Sequence, residues 1–464
     1  MITYAALMPH PPIAVPEVGG ERAQEASLTI RGMQAAAQKL VLTQPETVIF
    51  LTPHGNVFAD CLTCLIEPHL YGNLAAFGHP EVAFSYVNDL KMVKTVGVLA
   101  EKQGINIIGI DKNTSSRHNL NPSLDHGILV PLYYLKQAGL GDKPIAAISI
   151  GMLDNLQLYS VGKIIQEAAQ TVGRRVAVVA SGDMSHRLKD EGPYDFHPDG
   201  SRFDLMVKDL IACADAEGLL DLPSKLVDNA GQCGYPSIII MLGSLDGFQL
   251  HPEVFSYEGP FGVGYLNAGI KPGRPVPSIL DHLIRKQAES AEARRQNESA
   301  PVRWARQTLE SYLQGGKTVD RPNDMDEFER QRAGVFVSLK KNGQLRGCVG
   351  TFQPVYDNIA EEIKHNAIAA GLRDPRFSPV TVQELSGLAY SVDVLTPPEP
   401  ARREDLDPRR YGVIVRHGGR SGLLLPDLEG VDTVDQQLNI ALQKAGISPG
   451  EKYSIQRFEV KRFS

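Results

Sequence analysis

Long apolar runs are missing from this chain: no segment approaches the roughly 18 to 20 residues that a bilayer crossing needs, so no membrane span is expected. Cysteine is scarce as well, with five residues in 464, an odd number without framework spacing, which fits a reducing interior better than a secreted disulfide scaffold. There is no excess of positive charge. The net charge of -7 argues against nucleic acid as the main partner, because a polyanion needs a basic face. The first residues, MITYAALMPHPP, lack a basic region and run straight into a strand-like pattern, so no signal peptide is expected. Together these absences point to a cytoplasmic protein. Internal repeats and low-complexity tracts are absent too, while the length exceeds one ordinary core and suggests about two or three domains. An apolar content of 42% against 22% charged residues is that of a globular chain.

What is present first is an alternation of strand and helix signals. Apolar runs occur at Met1 to Met8, Thr47 to Leu51, Gly104 to Ile110, Ile145 to Gly151 and Val176 to Ala180. Helical spacing separates them, at Glu21 to Leu40 and at Leu156 to Ala169, and returns at Phe203 to Ile211. Runs of Val and Ala bounded by Gly fit strands covered on both faces, and the alternation predicts an α/β domain. A further strand in PFGVGYLNAG closes it, followed by the Pro- and Gly-rich KPGRPV.

Residues 273–298, which include AESAEARRQNES, have few apolar positions and read as an exposed helical linker between a domain at 1–272 and another at 299–464. Beyond it a helix carries Val302, Ala305, Leu309, Tyr312 and Leu313 on one face. Asn342-Gly343 between two strand-like runs predicts a hairpin. A helix near Ile359 to Ala370 follows, then strands near Leu388 to Leu395, Tyr411 to Val415 and Leu423 to Leu425, then a helix from Val434 to Ala445. This half is expected to be α+β.

The chemistry is carried by a few framed residues. His10 is followed by two prolines after the first strand, and His54 stands between Pro53 and Gly55 after the second. VAVVASGDMSH delivers Asp183 and His186 at the end of a third. In an open sheet such strand ends meet at one edge, where three imidazoles suggest a metal; satisfied loop histidines are the alternative. Asp125-His126-Gly127 opens an apolar helix, so Asp125 is a candidate cap and His126 a candidate imidazole at the cleft. Cys233 sits between glycines just before Pro236, at a helix start, a position that lowers a thiol's pKa. Cys61 and Cys64 form a lone CxxC inside a strand-like segment and read as a buried apolar residue and its neighbour.

MPHPP, TPHG, DHG, SGDMSH and the Gly-Gln-Cys-Gly before a helix resemble the LigB-type class III extradiol dioxygenase superfamily, specifically its Memo-like branch, over residues 1 to about 270. The resemblance implies a mixed-sheet α/β scaffold with flanking helices, His10 and His54 as metal ligands, His186 as the acid/base histidine and His126 as a further active-site histidine. Cys233 occupies the place of the carboxylate ligand of ring-cleaving members. Non-haem Fe(II) is the implied ion, with Cu or Zn accommodated by the thiolate.

LRGCVG from Leu345, DPRFSPV from Asp374, SVDVLTPPEP and SGLLLP from Ser421 are similar to the AMMECR domain, over roughly 290 to 464. Arg346 and Cys348 mark its candidate site; Arg346 either serves an anion-binding loop or pairs with a nearby carboxylate. Fused chains of this kind resemble the AmmeMemoRadiSam group, which implies a radical-SAM partner protein.

Two functions follow. One is an oxidoreductase in which His186 moves protons, Asp183 holds its orientation and a small aromatic molecule fills the cleft. The other is a non-catalytic metal-binding or docking protein whose cleft receives a peptide. Either allows an oligomer, and neither calls for nucleic acid or a membrane.

Overall fold

The computed structural model describes residues 1–316, 321–341, 343–428, 430–448 and 450–464. The chain divides into two compact units, Met1–Lys286 and Gln287–Ser464.

The first unit is built on ten strands: β1 Ile2–Met8, β2 Thr47–Thr52, β3 Leu62–Leu65, β4 His69–Leu74, β5 His79–Val87, β6 Ile107–Ile110, β7 Ile145–Ser149, β8 Val176–Ser181, β9 Phe248–Glu258 and β10 Tyr265–Pro275. Eight form one mixed sheet in the order β6-β3-β7-β2-β8-β1-β10-β9. Its centre is parallel, with Phe50 of β2 opposite Val179 of β8 and Leu7 of β1 opposite Ala180. β10 returns antiparallel to β1, and β9 to β10.

Side chains alternate across the central strands. Leu7, Leu51, Val178 and Ala180 face one core, shared with the helices Leu90–Lys102, Asn155–Val172 and Tyr235–Ser244. Met8, Phe50 and Val179 face a second core, shared with the helices Ser27–Leu42 and His126–Gln137. Burial on both faces explains why these strands read as unbroken apolar runs. Phe50 is wholly enclosed, and its truncation to Ala would cost about 3–5 kcal/mol. β4 and β5 form a separate two-stranded hairpin.

The helix Tyr235–Ser244 crosses Asn155–Val172 at very short range. A Cβ on Gly162 would stand 2.0 Å from the Ile240 carbonyl oxygen, and one on Gly243 2.0 Å from that of Tyr159. Glycine at both positions therefore lets the two helices pack backbone against backbone.

Three details differ from the sequence expectation. The helical stretch from Glu21 is a 3-10 segment, Gly20–Ala26, before the helix Ser27–Leu42 begins. β10 continues through Lys271–Pro275, which the Pro and Gly content suggested would end the domain. β9 was not foreseen: FQLHPEVFSYE is half-exposed throughout and carries Pro252.

The second unit is α+β. β11 Val335–Lys341 and β12 Gln344–Gly350 form a hairpin, of whose expected Asn342-Gly343 turn Asn342 lies outside the described residues and Gly343 has φ 82°. With β13 Leu388–Leu395, β14 Glu399–Pro400, β15 Gly412–His417, β16 Arg420–Leu424, β17 Ser454–Phe458 and β18 Val460–Phe463 they make two four-stranded sheets, β12-β11-β13-β18 and β14-β17-β15-β16. The helices Ala300–Gly315 and Ile359–Leu372 cover the first, and Val434–Ala445 the second. Between the two halves, the helix Leu280–Gln296 buries only Leu283.

Candidate metal centre

The parallel strands end at one edge of the sheet, and there β1, β2 and β8 hand over to His10, His54 and the segment 182–186. A Cβ on Gly182 would stand 2.1 Å from Gly234 Cα, so glycine at both positions lets the β8 loop and the Cys233 loop touch. The Gly234 N–H donates to the Asp183 carbonyl at 2.9 Å, and the Asp183 N–H to Cys233 Sγ at 3.3 Å.

His10 is the centre of the cluster and is 2% exposed. Its Nε2 lies 2.8 Å from His54 Nε2, 3.6 Å from Cys233 Sγ and 3.7 Å from Asp183 Oδ2. Two ligand-like groups share it: His10, His54 and His126, and His10, Asp183 and Cys233, each with donor atoms within 4.8 Å of one another. The ring of His126 lies 4.2 Å from that of His54, centroid to centroid, and 5.4 Å from that of His10.

The donor set fits a metal. Ser181 gives its only proton to the Gly127 carbonyl and stands 2.8 Å from His10 Nδ1, where it is left as an acceptor. His10 therefore carries its proton on Nδ1, and the lone pair of Nε2 faces the cluster, an orientation that an outer hydrogen bond typically fixes for a ligating histidine.

Charge is expelled from this place. Burial, reinforced by His54, His126 and His186, holds His10 well below the ordinary imidazole value. Burial, then His54, lowers His126 and His186 to about 4 each, and desolvation also lowers His54, although that residue is exposed to solvent. All four rings are neutral at pH 7, the form that ligates. Burial pushes the Asp183 carboxyl up to about 7, opposed by the His10 backbone N–H that donates to Oδ1 at 2.9 Å. With His10 neutral, the contact between its ring and Asp183 is not an ion pair.

Two expectations are corrected. The helix start does not lower the Cys233 thiol: burial, then Asp183, pushes its pKa well up. Asp183 does not orient His186. Its carboxylate faces His10, while His186 Nε2 is buried with no hydrogen-bond partner among the described residues and its ring stacks on Tyr194 at 5.8 Å. Asp125 stands at the N-cap of the His126 helix, yet its carboxylate accepts from the Thr52 hydroxyl at 2.7 Å. Ser181 is a residue that sequence reasoning missed. Its only signal was its place at the end of the β8 run.

In the second unit Arg346 takes the ion-pair alternative. Its Nε and Nη2 donate to Glu384 at 2.9 and 3.1 Å and its Nη1 to the Ser378 carbonyl at 2.9 Å, so it closes a structural contact and not an anion loop. The Cys348 N–H donates to Asp374 at 2.8 Å.

Comparison with known proteins agrees with this division. Residues 4–267 match the family described as the catalytic LigB subunit of aromatic ring-opening dioxygenase, and residues 302–464 match AMMECR1. Protein CA_C1420 of Clostridium acetobutylicum is 40% identical over 458 residues, 98% of either chain. A Thermotoga maritima protein is 50% identical over 166 residues, 35% of this chain and 95% of its own. Among solved structures, the uncharacterized protein PH0010 from Pyrococcus horikoshii has 34% identity and a TM-score of 0.33, covering 35% of this chain and 88% of its own. The uncharacterized JW3007 from Escherichia coli K12 has 16% identity and a TM-score of 0.37, over 57% of this chain and 99% of its own.

Proposed function

Because the chain belongs to the family of the catalytic LigB subunit of aromatic ring-opening dioxygenase, with an AMMECR1 domain in its second half, we propose that its first unit is a non-haem metal-dependent oxidoreductase acting on a small aromatic substrate. His10, His54 and Cys233 are the residues that would hold the ion, ferrous iron first, with Cu or Zn also suited to the thiol; because His54 and Cys233 fall in separate donor groups that share only His10, holding all three would require these side chains to close in on the ion. When bound, such an ion supplies Lewis acidity and redox chemistry with O2. Asp183, bonded to the His10 backbone, positions that ligand, and Ser181 sets its tautomer. His186 Nε2 accepts a proton from a substrate hydroxyl and returns it.

The observation that carries this reading is the unpartnered Nε2 of His186. A buried polar atom without a hydrogen bond costs about 1–3 kcal/mol, which a substrate hydroxyl donating to it would recover. The experiment is oxygen uptake by anaerobically purified protein supplied with 1,2-dihydroxybenzene and related diols. Uptake lost on chelation and restored by ferrous iron is expected; no uptake with any diol contradicts the reading.

Cys233 favours a second reading. A thiol in the place of a carboxylate suits a non-catalytic metal-binding or docking protein, whose cleft receives a peptide and which works beside a radical-SAM enzyme. Metal retained in full without oxygen uptake is what that reading expects.

A further inference from the structure

The second unit has a cavity of its own, of roughly 530 Å³, the size of a site for a small organic molecule. Its lining includes Arg416, Gln456, Ser454, Gln353, Pro398 and Pro400. Strand alternation explains what faces it. Val413 and Val415 of β15 enter the core under the helix Val434–Ala445, so Ile414 and Arg416 project from the opposite face. There Ile414 and Phe458 form an apolar cluster with Leu395. Further along the same face the strands turn polar, with Ser454 of β17 directly opposite Arg416 and Gln456 opposite Ile414. On β14, Pro400 stands opposite Gln456 and Glu399 opposite Arg457. The Glu399 carboxylate therefore belongs to the other face, where Arg457 takes it at 2.7 Å.

Arg416 differs from the arginines around it. Arg410 pairs with Glu459, Arg420 with Glu451 and Arg457 with Glu399, whereas Arg416 has no carboxylate partner among the described residues. Its Nε donates to Gln456 Oε1 at 3.1 Å, and its guanidinium lies 6.0 Å from the centroid of the Phe352 ring. These contacts hold the group in place and leave Nη1 and Nη2 as a fork of donors with no acceptor among the described residues. With Oε1 of Gln456 occupied, its Nε2 is a further donor. No Asp or Glu lines the cavity. A guanidinium fork matches the two oxygens of a carboxylate, and one cation balances one negative charge, where a phosphate dianion would stay half neutralised. Beside the fork, the two proline rings and Phe352, 39% exposed, offer apolar surface.

We infer that this cavity binds a small monocarboxylate with an apolar body, its two oxygens on the Nη1–Nη2 fork of Arg416 and its body against Pro398 and Pro400. Arg416 thus provides the anion site that Arg346, closed on Glu384, does not. The inference concerns the second unit and does not rest on the oxidoreductase reading.

The experiment is ligand-detected NMR titration of the full chain with 4-methylpentanoate, its neutral amide and inorganic phosphate. The carboxylate should bind about tenfold more tightly than either of the others, the scale of a hydrogen-bonded charge. Arg416→Gln should weaken it by about the same factor with the melting temperature unchanged, because Arg416 closes no ion pair in the fold. Ser454→Glu sets a carboxylate across from Arg416 and should fill the fork, abolishing binding although the arginine is still there. No binding of 4-methylpentanoate, an amide that binds as well, or phosphate that binds more tightly would each overturn the inference. So would either variant binding the carboxylate as wild type does, since the anion would then sit elsewhere on the chain.

Discussion

His10 and Asp183 meet twice, once through the His10 backbone N–H on Oδ1 at 2.9 Å and once through Nε2, 3.7 Å from Oδ2. The two residues are 173 positions apart, joined because β1 and β8 are adjacent parallel strands that end together. The carboxylate therefore fixes the loop that carries the central histidine and adds an oxygen beside its lone pair.

Asp183→Asn should lower metal affinity about tenfold, as disturbing an outer partner of a ligand does. Metal per chain under competition with a chelator measures it. Affinity equal to wild type would contradict the role given to Asp183.

Ser181→Ala should have an effect of similar size, roughly 10- to 100-fold, for a different reason. Without the hydroxyl, His10 Nδ1 and the Gly127 carbonyl lose their partner and the imidazole is free to carry its proton on Nε2. The same chelator competition reads the loss, and an unchanged curve would contradict the tautomer assignment.

Asp204 gives a dependence on pH. Burial pushes its carboxyl up to about 7, opposed by the Ser185 N–H and the Tyr257 hydroxyl. An unfolded Asp titrates near 3.9. Between about pH 4 and 7 the folded chain therefore binds more protons, and stability falls as pH rises through that window, by at most ~1.4 kcal/mol per pH unit. Asp204→Asn removes this slope. Its melting temperature should improve relative to wild type as pH goes from 5 to 8; a constant offset would contradict the assignment.

The helix Leu280–Gln296 should be the first site of limited proteolysis, because only Leu283 is buried there. Mass spectrometry should then find two fragments that meet near residues 287–296. A first cut inside residues 4–267 would contradict the proposed boundary.

Much of this was legible because buried parallel strands leave an unmistakable trace. TVIFL and VAVVA are apolar at every position since each face meets a core, and the histidines after them are marked by proline and glycine. β9 left no such trace, with every residue only partly covered or exposed. The β4–β5 hairpin was hidden by Gly72, Asn73, Gly78 and Pro80. The partner of Asp183 was not readable locally: three residues from His186 in sequence, it turns to His10 because the register of β1 on β8 brings that backbone closer. The raised pKa of Cys233 is likewise a product of burial that a helix start alone does not reveal.

The central claim is that a metal held at His10 works with a proton carrier at His186. Metal content and oxygen uptake with 1,2-dihydroxybenzene, measured side by side on wild type and His186→Ala, test it most directly. The account predicts that the variant keeps most of its metal and loses turnover by roughly a hundred- to ten-thousand-fold, the range of a general acid/base group. A variant that loses metal as completely as His10→Ala does, or that keeps both metal and full turnover, would contradict it.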